Sequence, residues 1–194
     1  ERRKAPTEDM ISSLIAIEAE GDRLSEDEMV AMCILLLFAG HETTVNLIGN
    51  GTLALLRRPD QWEMLKANPS LVKSATEELL RYDSPVQITT RFVMEDHEFA
   101  GAQFRKGQQG ATMFGAANRD PARFANPTEL DITRDPNPHL AFGNGIHFCL
   151  GAPLARMEGQ IAFATLAKRL PNLQLSTENP PYRETYVLRG LEQR

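Results

Sequence analysis

The chain has 194 residues, 42% of them hydrophobic and 24% charged, and a formal net charge of −5. That composition is ordinary for a soluble globular protein, and the acidic balance argues against a nucleic-acid partner, which needs a basic face. Two cysteines far apart, Cys33 and Cys149, suit a reducing compartment better than a disulfide scaffold, so the expected location is cytoplasmic.

In chain order, the first residues run into helical periodicity with no obvious starting signal. Met10, Leu14, Ile15 and Ile17 predict a short amphipathic helix ended by Gly21. Ser25 followed by Glu28 is a capping box that opens a second helix, from about Glu26 to Leu56. Its stretch MVAMCILLLFAG, Met29 to Gly40, is apolar all round, which predicts burial at the centre of a domain. Cys33 within it reads as a small core residue. The run falls short of the ~20 residues that cross a bilayer, and no signal peptide precedes it, so no membrane partner is expected.

Pro59 and Pro69 suit the first turns of two more helices. The first carries Trp62 and Leu65; the second reaches Tyr82 with Leu71, Val72, Ala75, Leu79 and Leu80 inward. Pro85 stops the helical pattern. Strand periodicity follows in VQITTRFVM, in HEFAGAQF with a turn at Gly101, and after Gly107, where Gly110 weakens the strand and predicts a sheet frayed or rebuilt there. Residues 118–144, rich in Pro, Asp, Asn and Arg, form a long irregular stretch of the kind that is usually functional. A long helix from about Cys149 to Leu170 and short terminal strands complete a chain that is mainly α with minor β. Its abrupt ends read as those of a piece cut from a longer chain.

Chemistry concentrates in residues 141–151, AFGNGIHFCLG. A cysteine at a helix N-terminus has its thiolate favoured by the dipole and by free N–H groups. Gly143, Gly145 and Gly151 permit backbone shapes that a side chain would block, and Phe142, Phe148 and Leu150 are placed to keep water away. Such a sulfur is a soft metal ligand. Zinc needs further cysteines or histidines nearby, so haem iron suits a single sulfur better. A buried structural cysteine beside a glycine turn is the alternative these residues leave open.

Three other groups stand out. Ala39-Gly40-His41-Glu42-Thr43-Thr44 places a glycine, a carboxylate and hydroxyls in mid-helix, where threonine can bond back to carbonyls and open a notch. Glu78 and Arg81 share one helix face at i,i+3, a spacing repeated without significance by Glu20 and Arg23. Strand period puts Gln87, Thr89 and Arg91 on one side, and an arginine pointing inward needs an anion. His41, His97 and His139 have no constellation around them.

The pattern Phe142-x-x-Gly145-x-x-x-Cys149-x-Gly151 resembles the haem-binding signature of the cytochrome P450 family, and HLAFGNGIHFCLGAPLARMEGQIA resembles its bacterial soluble branch. The resemblance implies the C-terminal portion of the P450 fold, residues 1–194 being part of one haem-thiolate domain without its N-terminal part. It implies haem b (iron protoporphyrin IX) with Cys149 as axial ligand, and Phe142, Gly143 and Gly151 in the loop beneath. His147 and Arg91 would meet the propionates, and Ala39 and Gly40 would lie against the macrocycle. Glu42 and Thr43 would deliver protons during oxygen activation, and Val86, Gln87 and Thr89 would border a hydrophobic small-molecule substrate. Glu78 and Arg81, joined by Arg134, would form a buried network pinning the long loop. The implied activity is insertion of one oxygen atom of O2, with electrons from a separate ferredoxin or flavodoxin and its reductase. The alternatives are a truncated, non-catalytic fragment that binds haem poorly or not at all, and a peroxide-driven peroxygenase, against which the Glu42–Thr43 pair speaks.

Overall fold

A computed structural model describes residues 2–19 and 24–192. The chain packs as two compact units, residues 1–42 and 43–194. The expected stop at Gly21 and the pair Glu20 and Arg23 lie outside the described residues.

In the first unit, helix α1 spans Met10–Ala19, and helix α2, Glu26–Leu56, begins. A start signal for α1 does exist: Asp9 Oδ1 accepts the Ser12 N–H at 2.8 Å, and Thr7 Oγ1 donates to Asp9 Oδ2 at 2.5 Å. The aspartate was legible as an N-cap residue. The capping box of α2 is reciprocal, with Ser25 N–H donating to Glu28 Oε2 at 2.8 Å and Glu28 N–H to Ser25 Oγ at 3.3 Å.

Burial of the apolar run is the main correction. Met29 is buried, yet Val30, Ile34, Leu35, Leu37 and Phe38 are exposed, Leu37 to 75%. A helix apolar on every side is covered only where it has neighbours on every side, and α1 is the only other described helix of this unit. Cys33 is half-buried rather than core. By length and composition α2 passes for a membrane span, which the length of the apolar run alone did not anticipate. Its later residues Leu47, Leu53 and Leu55 are nonetheless buried in protein, at 2%, 4% and 0% exposure.

The second unit holds the rest of α2, then α3 (Pro59–Ala67), a 3-10 turn (Pro69–Leu71) and α4 (Val72–Tyr82). Strands β1 (Ile88–Phe92), β2 (His97–Phe99), β3 (Ala102–Phe104) and β4 (Gln109–Met113) follow, then α5 (Phe114–Ala117), a 3-10 turn (Gly145–His147) and α6 (Ala152–Arg169). Leu47, Leu55, Trp62, Leu65, Leu79 and Phe163 pack into one core with Leu130 and Ile132 from the irregular stretch. The strands make two antiparallel pairs, β1 with β4 and β2 with β3. Gly110 does not fray β4; it pairs with Arg91 in an unbroken register. The terminal segment forms single bridges, Val86 to Leu188 and Tyr182 to Leu191, in place of the expected strands.

Candidate functional site

Glu78 and Arg81 project from the buried side of α4, where neither can reach water: their exposures are 0% and 1%. Arg81 Nε donates to Glu78 Oε2 at 2.8 Å and Nη2 to Oε1 at 2.9 Å, the two-pronged match of a planar guanidinium to a carboxylate. Arg134 Nε adds a bond to Oε2 at 3.1 Å. The remaining capacity is turned on the irregular stretch. Arg81 reaches the carbonyls of Asn118, Pro127 and Glu129, and Arg134 reaches that of Ala125. Glu78 in turn accepts from the Asp131 N–H and the Asn137 side chain. A chain of 3.6 periodicity thus uses one buried ion pair to hold a segment with no ladder of its own.

The cysteine loop is closed by the Cys149 N–H donating to the Phe142 carbonyl at 3.0 Å. Gly143 and Gly145 sit at φ +72° and +74°, left-handed values that an L side chain adopts only with strain. Helix α6 begins at Ala152, three residues after Cys149, because the chain first turns through Gly151; Cys149 lends its carbonyl to the Ala152 N–H at 3.2 Å. The cysteine therefore precedes the helix instead of starting it. Gly151 has φ −81°, and a Cβ there would meet Cys149 Sγ at an ordinary 3.9 Å, so its backbone freedom is not needed.

Among the described residues Phe148 and Leu150 do not provide the expected shelter: they are 50% and 88% exposed, and Ile146 is 98% exposed. A tight loop with two left-handed glycines turns its side chains outward. Phe142 is half-buried and edge-on to Phe148, with centroids 6.3 Å apart. Cys149 is a half-buried free thiol and His147 is exposed.

Four residues that sequence reasoning missed hold the segment leading into this loop. Asn118, fully buried, accepts the Leu140 N–H at 2.6 Å and donates to Ser84 Oγ at 2.8 Å. His139, with a side chain 3% exposed, has Nε2 3.0 Å from Glu77 Oε2, while its Nδ1 accepts the Ala141 N–H at 3.2 Å. Arg156 Nε lies 2.8 Å from Glu77 Oε1, and its guanidinium covers the Phe142 ring at 4.6 Å. Burial alone would raise the Glu77 pKa, but hydrogen bonds from His139 and Arg156 win and hold it at about 2. The available signal was a histidine directly ahead of an apolar run, a place where burial demands a partner.

The other predicted residues are placed as follows. Glu42 and Thr43 are successive half-buried residues of α2, and Ala39 and Gly40 are exposed; a Cβ on Gly40 would meet nothing within 4 Å. Neighbouring Thr44 donates to Glu158 Oε2 of α6 at 3.1 Å. Arg91 is exposed, not inward, and its guanidinium donates to Thr89 Oγ1 and the Thr90 carbonyl. The Arg91–Thr89 contact keeps the two side chains on one side, and among the described residues β1 pairs with β4 in a two-stranded sheet that leaves Arg91 exposed. Gln87, Ile88 and Met113 line a shallow cleft of about 210 Å³ with Tyr182, Tyr186 and Arg189. Val86 and Thr89 border it in sequence without lining it.

Among the described residues no group of three or more His, Cys, Asp or Glu gathers as it would round a bare metal ion. Cys149 is a single soft donor flanked by exposed apolar side chains. That arrangement fits a metal that brings its own equatorial ligands within a flat apolar ring, namely haem, and does not fit zinc.

Comparison with known proteins agrees. The cytochrome P450 family model matches residues 1–188. The biotin biosynthesis cytochrome P450 of Bacillus subtilis is 50% identical over 192 residues, covering 99% of this chain and 48% of that protein. The vitamin D(3) 25-hydroxylase of Pseudonocardia autotrophica is 50% identical over 194 residues, covering 98% and 48%. The crystal structure of P450BioI in complex with hexadec-9Z-enoic acid ligated acyl carrier protein superposes with a TM-score of 0.92 at 51% identity, covering 98% of this chain and 48% of that one. The chain spans about half the length of the curated relatives it matches.

Proposed function

The chain belongs to the cytochrome P450 family, and from that premise we propose that it carries the thiolate half of a haem monooxygenase acting on a hydrophobic small molecule. The observation that carries this reading is the solitary Cys149 thiol, on a loop whose apolar side chains stand exposed. Haem b, when bound, supplies the redox chemistry that activates oxygen, with a thiolate ligand favouring O–O cleavage.

The chain's own residues do the rest. Cys149 supplies the thiolate, and the Phe142–Cys149 hydrogen bond and the two left-handed glycines set its backbone. Phe142 offers an aromatic face. His147 and Arg91, both exposed cations or potential cations, are available to propionates. Ala39 and Gly40 leave room beside the ring. Glu42 relays a proton to the Thr43 hydroxyl, which passes it on. Gln87 and its neighbours contact substrate, and electrons come from a separate ferredoxin or flavodoxin with its reductase. The enzyme works in the cytoplasm.

The test is reduction of the chain under carbon monoxide after addition of iron protoporphyrin IX. A strongly red-shifted Soret band that Cys149→Ala abolishes supports the assignment; a band unchanged by that substitution removes it. A second reading, that the chain as given takes up haem weakly or not at all, is favoured by the same exposure of Ile146, Phe148 and Leu150. It predicts no incorporation in the same experiment.

A further inference from the structure

His139 has a ring with two different obligations. The Ala141 N–H can only donate, so Nδ1, 3.2 Å away, must accept. The ring proton then sits on Nε2 and points at Glu77 Oε2, 3.0 Å away. The neutral Nε2–H tautomer is the one form that satisfies both contacts, and with the side chain 3% exposed, water cannot replace either partner.

These contacts belong to a closed ring. Glu77 on α4 receives His139 on Oε2 and Arg156 on both oxygens, at 2.8 to 3.1 Å. Arg156 on α6 covers the Phe142 ring, and His139 and Phe142 are joined by the three peptide bonds between them. The segment is thus held at both ends, by an imidazole at residue 139 and by a guanidinium at residue 142. Asn118 takes the Leu140 N–H in between. The Phe142 carbonyl that results is the acceptor for the Cys149 N–H at 3.0 Å. From α4 to the cysteine there are therefore four links: Glu77 to His139, His139 to the Ala141 amide, along the backbone to Phe142, and Phe142 to Cys149.

We propose that His139, oriented by Glu77 and completed by Arg156, is a positioning residue that sets where Cys149 is presented. It touches neither the sulfur nor any reacting atom; it acts through the Leu140–Phe142 backbone. The functional meaning rests on Cys149 being the iron ligand, but the structural coupling does not.

Two substitutions separate the obligations. His139→Gln keeps a donor in the place of Nε2 and loses the acceptor for Ala141; His139→Asn keeps an acceptor in the place of Nδ1 and loses Glu77. In the chain without haem, hydrogen exchange at the Cys149 amide and alkylation of Cys149 by a small maleimide are followed, with peptide mapping to set Cys33 apart. Each variant should speed both processes about tenfold, the scale of one lost buried hydrogen bond, while exchange in the β2–β3 hairpin stays unchanged. If a His139 variant does not fold, Arg156→Lys, which loses the two-pronged contact and the ring cover, is measured for the same rise. Unchanged exchange and alkylation in the folded variants overturn the inference. With haem added, the reduced carbon monoxide spectrum of the same variants should move a share of its intensity from the thiolate-type band to the band of a weaker ligand. If Cys149→Ala leaves that spectrum as it was while the His139 variants still speed exchange, the iron assignment fails and the positioning role stands.

Discussion

Arg134 bonds to Glu78 across 56 residues of sequence, Nε to Oε2 at 3.1 Å, and finds that carboxylate already engaged by Arg81. Two guanidinium groups thus share one buried carboxylate. Between the two ends lie the β-strands and most of the irregular stretch, so the contact binds α4 to a segment with little regular structure. An isolated buried carboxylate is expensive to keep charged, and its two cationic partners and two further donors, the Asp131 N–H and the Asn137 side chain, satisfy it.

Removing one side of that network should be severe. Glu78→Gln leaves Arg81 buried and unmatched, and a loss of about 3–5 kcal/mol is expected, seen as a lower denaturant midpoint. Arg134→Ala, with a side chain 11% exposed, should cost less, about 1–3 kcal/mol. Equal midpoints for Glu78→Gln and the parent chain would refute the structural role of the network.

Glu77 gives a pH dependence of defined sign. Its folded pKa of about 2 lies below the ordinary 4.5, so the folded state binds fewer protons than the unfolded state. The associated stability is present above the unfolded value and is lost as pH falls from about 4.5 toward 2. Unfolding measured at about pH 6 and about pH 3 should show a smaller acid loss in Glu77→Gln than in the parent. An identical loss in both would assign the acid sensitivity to other groups.

Two glycines of α2 should respond oppositely to alanine. A Cβ on Gly51 would lie 2.5 Å from Cζ of the fully buried Phe163, and overpacking of about 1–3 kcal/mol outweighs the ~1 kcal/mol that alanine gains in a helix. At Gly40 there is open space, so Gly40→Ala should raise or keep the thermal midpoint of the haem-free chain. A stabilising Gly51→Ala would contradict the packing described for Phe163.

Arg91→Ala should leave folding stability within about 0.5 kcal/mol, because its present bonds, to Thr89 Oγ1 and the Thr90 carbonyl, are solvent-exposed. Haem retention, measured as transfer to an acceptor protein, should fall. Unaltered transfer would count against a propionate contact.

Thr43→Ala tests proton delivery. In the haem-loaded chain supplied with an electron donor and an oxidisable substrate, the ratio of product formed to reductant used should drop while reductant consumption continues. Unchanged coupling would take the proton-relay role away from this hydroxyl.

Local rules determined much of this protein from sequence alone. The capping box at Ser25 and Glu28, the prolines at positions 59 and 69, and the change of period after Pro85 are contacts between near neighbours, so helix and strand positions followed from residue type. The cysteine loop was legible for the same reason: its glycines, its sulfur and its flanking aromatics lie within eleven residues. What only the tertiary structure decided are relationships across long stretches of chain. The partners of His139 sit 62 residues away on α4 and, through Glu77, on α6, and no periodicity connects them. Leu37, Leu150 and Arg91 are exposed against expectation for the same physical reason: burial belongs to the surface that faces a side chain, and a residue's own type and spacing do not specify what that surface is.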